Sequence, residues 1–217
     1  MWRLVNEWGC SVVAGRPGEY PHKWSERSRN ISAYNQVKSS YGDSAQAPLQ
    51  TEEQLVAELK QLGVRYLSPQ SDAGVVQGRA PQELLADLVR QPSSRVRVAL
   101  IALLLARPDY AAHAPAALKN LTHEQAQTFK FFYTAAMCLQ QQYAGALRAF
   151  LGIRWLELPD LFSDELEITG NSPTARLRAL ARLHAQRTGI HLNWAGTYEN
   201  AARHLLRLWE MERTWKQ

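Results

Sequence analysis

The residues of this chain best suited to chemistry lie near its C-terminal end. Residues 171–217 contain eight lysines or arginines against three acidic residues. Arginine can bind a phosphate or a carboxylate through two parallel hydrogen bonds, and indole rings can stack on unpaired bases. The basic and tryptophan residues of this segment are Arg176, Arg178, Arg182, Arg187, Arg203, Arg207, Arg213, Lys216, Trp194, Trp209 and Trp215. This composition predicts a surface for nucleic acid or for an acidic partner.

We assign the binding residues to two predicted helices and to the loop between them. The loop follows Gly189, and polar loop residues held between rigid helices are common contact sites. The candidate binding residues are Arg182, Arg187, His191, Asn193, Trp194, Arg203 and Arg207. Two alternatives stay open. Asn193 can cap the next helix, and the arginines can belong to an ordinary solvated face, because Glu199 and Arg203 form an i,i+4 pair.

Arg178 and His184 have a spacing that suggests catalysis. The spacing resembles the loose Arg-x(4–6)-His pattern of HEPN-type helical ribonuclease domains. The resemblance implies that His184 would act in acid–base chemistry on a ribose 2′-hydroxyl, while Arg178 would stabilise the charge on the phosphorane. It further implies metal-independent RNA cleavage and pairing with a nucleotidyltransferase-like antitoxin.

The chain departs from that pattern in two ways. Ala179 stands where the family usually has a polar residue directly after the arginine. Six helical steps also place the two side chains about 120° apart and about 9 Å apart along the axis. One active site would therefore need a dimer or a kinked helix. The alternative is a surface arginine and a histidine that is half-packed on Leu180.

Other catalytic or metal-binding patterns are missing from the sequence. His123-Glu124 does not begin a His-Glu-x-x-His zinc helix, because Gln127 occupies the position of the second histidine. The acids after position 159 lack the spacing of a calcium loop; they are Asp160, Asp164, Glu165 and Glu167. There is also no phosphate-binding loop and no nucleophile elbow. We therefore predict no metal, no cofactor and no enzymatic activity.

The overall composition is that of a globular protein, with 217 residues, 46% of them hydrophobic and 21% charged. The two cysteines, Cys10 and Cys138, form no disulfide framework, which favours a reducing cytosol. The N-terminus lacks the pattern of a signal peptide, and the apolar run at 98–106 is far shorter than a bilayer span. We expect a cytosolic, prokaryotic protein that is not embedded in a membrane.

Helical periodicity dominates the chain after position 50. Thr51 and Thr122 each begin a capping box, and Ser172-Pro173 is a typical helix start. The second capping box opens a predicted helix at 122–150, about 43 Å long. Residues 131–147 of this helix carry no charge, and their apolar side chains cover more than one face. Such a helix must pack on several sides, so we predict that it is central to the fold.

Residues 81–121 resemble a single HEAT-type helical repeat. The first helix is leucine-rich, the second begins with Ser-Ser-Arg-Val-Arg-Val-Ala-Leu, and the third begins with Pro-Ala-Ala-Leu. The sequence shows no second copy, and an isolated repeat cannot bury its faces. An antiparallel helix pair within a bundle explains the same pattern.

These patterns predict an all-α fold in two parts. Residues 1–48 show no sustained period and form a poorly structured N-terminal extension, while residues 49–217 form an irregular bundle of about seven helices. The expected function is non-catalytic binding of a macromolecule through the basic, tryptophan-bearing C-terminal face. A protein partner comes first, a second copy of the chain and a nucleic acid are further options, and a HEPN-like ribonuclease is the alternative.

Overall fold

The computed structural model describes residues 51–65, 67 and 78–215, all within one compact unit, Ala47–Gln217. In these ranges the chain forms eight α-helices and no strand, which confirms the predicted all-α class. In chain order they are α1 Glu52–Gln61, α2 Pro81–Arg90, α3 Ser94–Ala106, α4 Ala114–Leu118, α5 His123–Gln142, α6 Ala144–Leu151, α7 Pro173–Thr188 and α8 Trp194–Trp215. The predicted N-terminal extension lies outside the described residues.

Local sequence signals determine where several helices begin and end. Thr51 and Thr122 form the predicted capping boxes, in which each threonine hydroxyl accepts from the backbone three residues on. The Ser172 hydroxyl likewise accepts from the Ala175 N–H at 3.1 Å and starts α7. Gly189 ends α7 in the left-handed region, with φ of +66°, which a residue with a Cβ rarely adopts.

Helices α3 and α5 form the centre of the core. Every residue from 99 to 106 in α3 and from 131 to 140 in α5 is buried. The two helices pack against each other, and α7 and α8 cover them, with α7 lying mainly on α5 and α8 mainly on α3. The prediction that this helix packs on several sides and is central to the fold is confirmed for residues 131–140.

The long helix predicted at 122–150 is broken at Tyr143, so its predicted length is wrong. Tyr143 has φ of −107° and ψ of 20°, outside the helical region, and separates α5 from α6. Helix α5 alone spans about 30 Å instead of about 43 Å. Gly145, two residues further on, weakens the helix near this point, because glycine costs about 1 kcal/mol in a helix interior relative to alanine. Beyond the break, Phe150 packs on Trp209 of α8 with ring centroids 5.4 Å apart.

Gln140 of α5 holds the segment that follows α6. Its side-chain amide donates to the Leu156 carbonyl at 2.9 Å and accepts from the Leu158 N–H at 2.8 Å. The Tyr133 hydroxyl donates to the Pro159 carbonyl at 3.1 Å. Because these backbone groups have no helical partners, the side chains of α5 replace the missing secondary structure.

A buried ion-pair network joins α1 to α2. Glu58 of α1 is only 3% exposed, and its carboxylate accepts from the Arg79 backbone at 3.0 Å and from its guanidinium at 2.7 and 2.9 Å. Arg79 also pairs with Asp87, which in turn accepts from Arg90 at 2.9 Å. Every charge in this network has a partner, as buried charges require. The network anchors the chain where it enters α2.

None of the described helices combines the length and the hydropathy that a membrane span needs.

Candidate functional site

The structure places Arg178 and His184 in different environments. Both belong to α7, where Arg178 lies on the exposed face and His184 is 2% exposed on the packed face. The two side chains therefore do not share one surface of the described chain. The separation follows from the helical geometry that the sequence already indicated.

His184 lies inside a stack of aromatic rings. Its imidazole is nearly parallel to Phe131 of α5, with centroids 4.3 Å apart, and on its other side is Trp194 of α8, at 3.7 Å. Its Nδ1 atom is 2.5 Å from the Tyr198 hydroxyl. Burial, together with the positive charge of Arg97, lowers the pKa of His184 to about 4. His184 is thus a neutral member of the core at pH 7.

Burial also determines the protonation states of His184 and Tyr198. Burial raises the pKa of Tyr198 well above its usual value, so the phenol keeps its proton. The Tyr198 O–H can therefore donate to Nδ1 of the neutral imidazole, which leaves Nε2 as the protonated nitrogen. This hydrogen bond joins α7 to α8 and satisfies two buried polar groups.

The predicted binding residues in and after the loop between α7 and α8 have different structural roles. Trp194 is 9% exposed, and its indole N–H donates to the Ile190 carbonyl at 3.2 Å, so it belongs to the core stack. The Asn193 side chain accepts from the Gly196 N–H at 3.0 Å and caps α8. His191 is exposed in the loop. The capping alternative for Asn193 accounts for its position.

Some C-terminal arginines are used within the fold. Arg176 donates to the Asp160 carboxylate and to the Ser163 hydroxyl, both at 2.5 Å, and fastens the loop before α7. Burial would raise the pKa of Asp160, but hydrogen bonds from Ser163 and Arg176 outweigh it and keep the pKa below its usual value. Arg203 pairs with Glu199 at 2.8 Å within α8, as the i,i+4 spacing predicts.

Of the other arginines on these two helices, four have neither an acidic partner nor an aromatic contact among the described residues. Arg178, Arg182, Arg187 and Arg207 are exposed, and none forms an ion pair with any residue that the structure describes. We call this set the unpaired arginines. Arg178 and Arg182 are one turn apart on α7, so they share a helix face. Arg187 lies at the end of α7 beside a polar cleft of about 460 Å³ that includes His123 and Glu124.

Sequence reasoning missed a second cleft, at the far end of α8. Its volume is about 380 Å³, and we name it the Trp209 cleft. Its apolar lining includes Leu62, Ala106, Ala149, Phe150 and Trp209. Trp209 and Arg213, one helical turn apart, are visible as a pair in the sequence. Only the packing of α8 against α3 and α6 brings the other residues to them.

The rim of the Trp209 cleft carries three arginines and one glutamate: Arg65, Arg154, Arg213 and Glu212. Arg65 pairs with Glu212 at 2.9 Å. The Arg213 guanidinium lies over the Phe150 ring, 5.4 Å from its centroid. Arg154 is exposed and makes no ion pair with a described residue. The rim therefore has a net positive charge.

The remaining acidic and thiol groups show no sign of a metal site in the described part of the chain. Glu165 pairs with Lys130, and Asp160 pairs with Arg176, so the acids after position 159 are partly used by the fold. Within the described ranges no group of three or more His, Cys, Asp or Glu side chains is placed to hold a metal ion. Cys138 is buried in α5, and burial raises the pKa of its thiol to about 11.

Comparison with known proteins identifies no family for this chain: no protein-family model matches, and no curated protein or solved structure is significantly similar. A functional assignment therefore depends on the geometry of the described residues.

Proposed function

We propose that this chain is a non-catalytic cytosolic protein that binds an acidic protein partner through the helical pair α7 and α8. The observation that carries the proposal is the set of unpaired arginines, Arg178, Arg182, Arg187 and Arg207, all exposed on these two helices. Acidic protein surfaces offer carboxylates, which arginine binds through paired hydrogen bonds. The prokaryotic setting stays a prediction from the sequence.

None of these four side chains forms an ion pair that would stabilise the described part of the fold. Several basic residues elsewhere are neutralised by nearby acids, as in Arg79 with Glu58 and Arg107 with Asp109. Like charges one turn apart, such as Arg178 and Arg182, destabilise a helix by about 0.2–0.5 kcal/mol. A surface that is slightly unfavourable for folding and complementary to acids supports a role in recognition.

The charge pattern favours a protein over a nucleic acid. Glu210 is exposed on α8, one turn from Arg207 and without an ion pair among the described residues. A phosphate backbone would be repelled by that carboxylate, whereas a protein surface of mixed charge can accommodate it.

The position of His184 supports binding over the HEPN-like alternative. A general acid–base residue must come within hydrogen-bond distance of the substrate. His184 is covered on both faces by Phe131 and Trp194, and its Nδ1 is engaged by Tyr198.

Charge reversal on the two helices tests the proposal. The double variant Arg182→Glu/Arg207→Glu should reduce capture of the partner from nuclease-treated native cytosol about tenfold or more, because two attractive contacts become repulsive. The measurement is quantitative mass spectrometry of proteins retained by the tagged chain.

The matched control is Arg95→Glu/Lys119→Glu, the same change of charge at two exposed positions outside α7 and α8. It should retain the partner at the wild-type level. Equal capture by wild type and both variants would refute the proposed surface. Retained material that disappears with nuclease would indicate a nucleic acid, and RNA cleavage lost in His184→Ala would indicate the ribonuclease.

A further inference from the structure

The Trp209 cleft combines an apolar floor with a basic rim. Phe150 and Trp209 are partly buried and provide two aromatic rings to its lining, which also includes Leu62 and Ala106. Its volume of about 380 Å³ is at the lower end of the range for ligand pockets, about 300–1,000 Å³. A cleft of this size suits one or two side chains of a partner.

The arginines of the rim keep hydrogen-bond donors available. Arg213 lies over the face of Phe150, and stacking of a guanidinium leaves its in-plane N–H groups free to bind a carboxylate. Arg154 has no acidic partner among the described residues, and Glu212 is already paired with Arg65. An approaching carboxylate therefore meets two open arginines beside a glutamate that is largely neutralised.

Two large apolar side chains that are close to rim arginines in the sequence face solvent. Ile153 is fully exposed in the 3₁₀ turn Gly152–Arg154, next to Arg154, and Trp215 is 81% exposed at the end of α8. A single exposed apolar residue needs no explanation. Ile153 and Trp215 both belong to elements that also carry rim arginines, so these elements expose non-polar as well as basic surface.

We propose that the Trp209 cleft binds an acidic peptide segment of a protein partner, with one large apolar side chain on the floor and neighbouring carboxylates on Arg154 and Arg213. The inference rests on the proposed function and adds the chemistry of the partner segment. A single-stranded nucleic acid fits less well, because it has no apolar side chain for the floor and needs open aromatic faces for stacking. Trp209 is partly buried and contacts Phe150.

Two fluorescent probe peptides test the proposal on the full chain. Both are short and rich in aspartate and glutamate, and one has a central phenylalanine where the other has alanine. We expect the phenylalanine peptide to bind about tenfold more tightly, because burial of one phenyl side chain is worth at least that much in affinity. Fluorescence polarisation gives both affinities.

Variants then locate the binding. Ala149 is exposed and lines the cleft, so the larger side chain of Ala149→Phe should occupy the cleft and abolish the preference for phenylalanine. Ala146→Phe makes the same change at an exposed position of α6 outside the cleft and should preserve it. Arg154→Glu should weaken both peptides about tenfold by charge repulsion.

A photo-crosslinking residue, benzoylphenylalanine, at position 153 identifies the occupant. A crosslink to the probe peptide supports the proposal. Crosslinks within the same chain, or between two copies of it, would overturn the proposal. Equal affinity for the two peptides would also overturn it, as would unchanged peptide binding by Arg154→Glu and Ala149→Phe. Because Arg182 lies outside the cleft, loss of partner capture in Arg182→Glu/Arg207→Glu with no peptide binding would reject the cleft and retain the proposed function.

Discussion

His184 is the residue whose role changes most between sequence and structure. A histidine among arginines suggests catalysis, but here the imidazole is one ring in a stack that joins α5, α7 and α8. It packs like an aromatic residue and also provides an acceptor for the buried Tyr198 hydroxyl. A phenylalanine would fill the same space and leave that hydroxyl without a partner, at a cost of about 1–3 kcal/mol.

The burial of His184 predicts a stability that depends on pH. Its pKa is about 4 in the folded chain and 6.5 when exposed, so the unfolded chain binds the proton more readily. The contribution to stability is therefore complete above pH 6.5 and is lost as pH falls toward 4. Wild type should lose about 2 kcal/mol from this group between pH 7 and pH 4.5. Urea unfolding across this pH range measures the loss.

A double variant, His184→Phe/Tyr198→Phe, removes the titrating group and the hydroxyl that depends on it. Between pH 7 and pH 4.5, the free energy of unfolding of this variant should fall by about 2 kcal/mol less than that of wild type. His191→Gln, at an exposed loop position, serves as the control and should behave as wild type. An unchanged pH dependence in the double variant would show that His184 is not a neutral core residue.

At the scale of elements, α5 acts both as core and as the support for an irregular segment. The residues after α6 form no helix or strand until α7, apart from the 3₁₀ turn Gly152–Arg154. Their backbone groups need partners, and Gln140 provides two of them from a position that is 2% exposed. This explains why a polar residue occupies the buried surface of α5.

Gln140→Leu should destabilise the chain much more than the same change at the next residue. Loss of the amide leaves the Leu158 N–H and the Leu156 carbonyl without partners, at about 1–3 kcal/mol for each buried group. Gln141 is exposed, and its substitution by leucine should alter the free energy of unfolding by less than about 0.5 kcal/mol. Chemical denaturation compares the two variants, and similar effects would contradict the role of Gln140.

At the scale of the whole molecule, acids and bases are distributed unevenly. Acids neutralise the basic residues around α1 and α2, most completely in the network of Glu58, Arg79 and Asp87. Near the C-terminal end basic residues outnumber acids, and the unpaired arginines lie there together with Arg213 of the cleft rim. The same helices therefore stabilise the core on one side and present positive charge on the other.

The stability of the molecule depends on α3, whose residues from 99 to 106 are all buried. Leu103 is 0% exposed, so Leu103→Asp would bury an unpaired charge at a cost of several kcal/mol, against a total stability of about 5–15 kcal/mol. We expect loss of soluble, folded protein in circular dichroism and thermal unfolding. Arg95→Asp, exposed in the first turn of the same helix, should melt close to wild type. A soluble Leu103→Asp with unchanged melting would mean that α3 is not central.

Local patterns in the sequence were sufficient to predict where several helices begin and where α7 ends. Thr51, Thr122 and Ser172 start helices because their hydroxyls reach backbone N–H groups only a few residues away, and Gly189 ends one because it adopts a positive φ. The uncharged, apolar stretch at 131–147 likewise identified α5 as a core element. All these signals act within one or two helical turns, so they can be read without the fold.

Only the tertiary structure decided which side chains face a site. The break at Tyr143, the covering of His184 and Trp194, and the meeting of Arg65 and Arg154 at the Trp209 cleft all join residues that are distant in sequence or depend on neighbouring helices. A helical period predicts a face, but the partner that covers that face comes from elsewhere in the chain. Arg178 and Arg176 illustrate this, since they lie two residues apart and only Arg176 meets an acid, Asp160, in the folded chain.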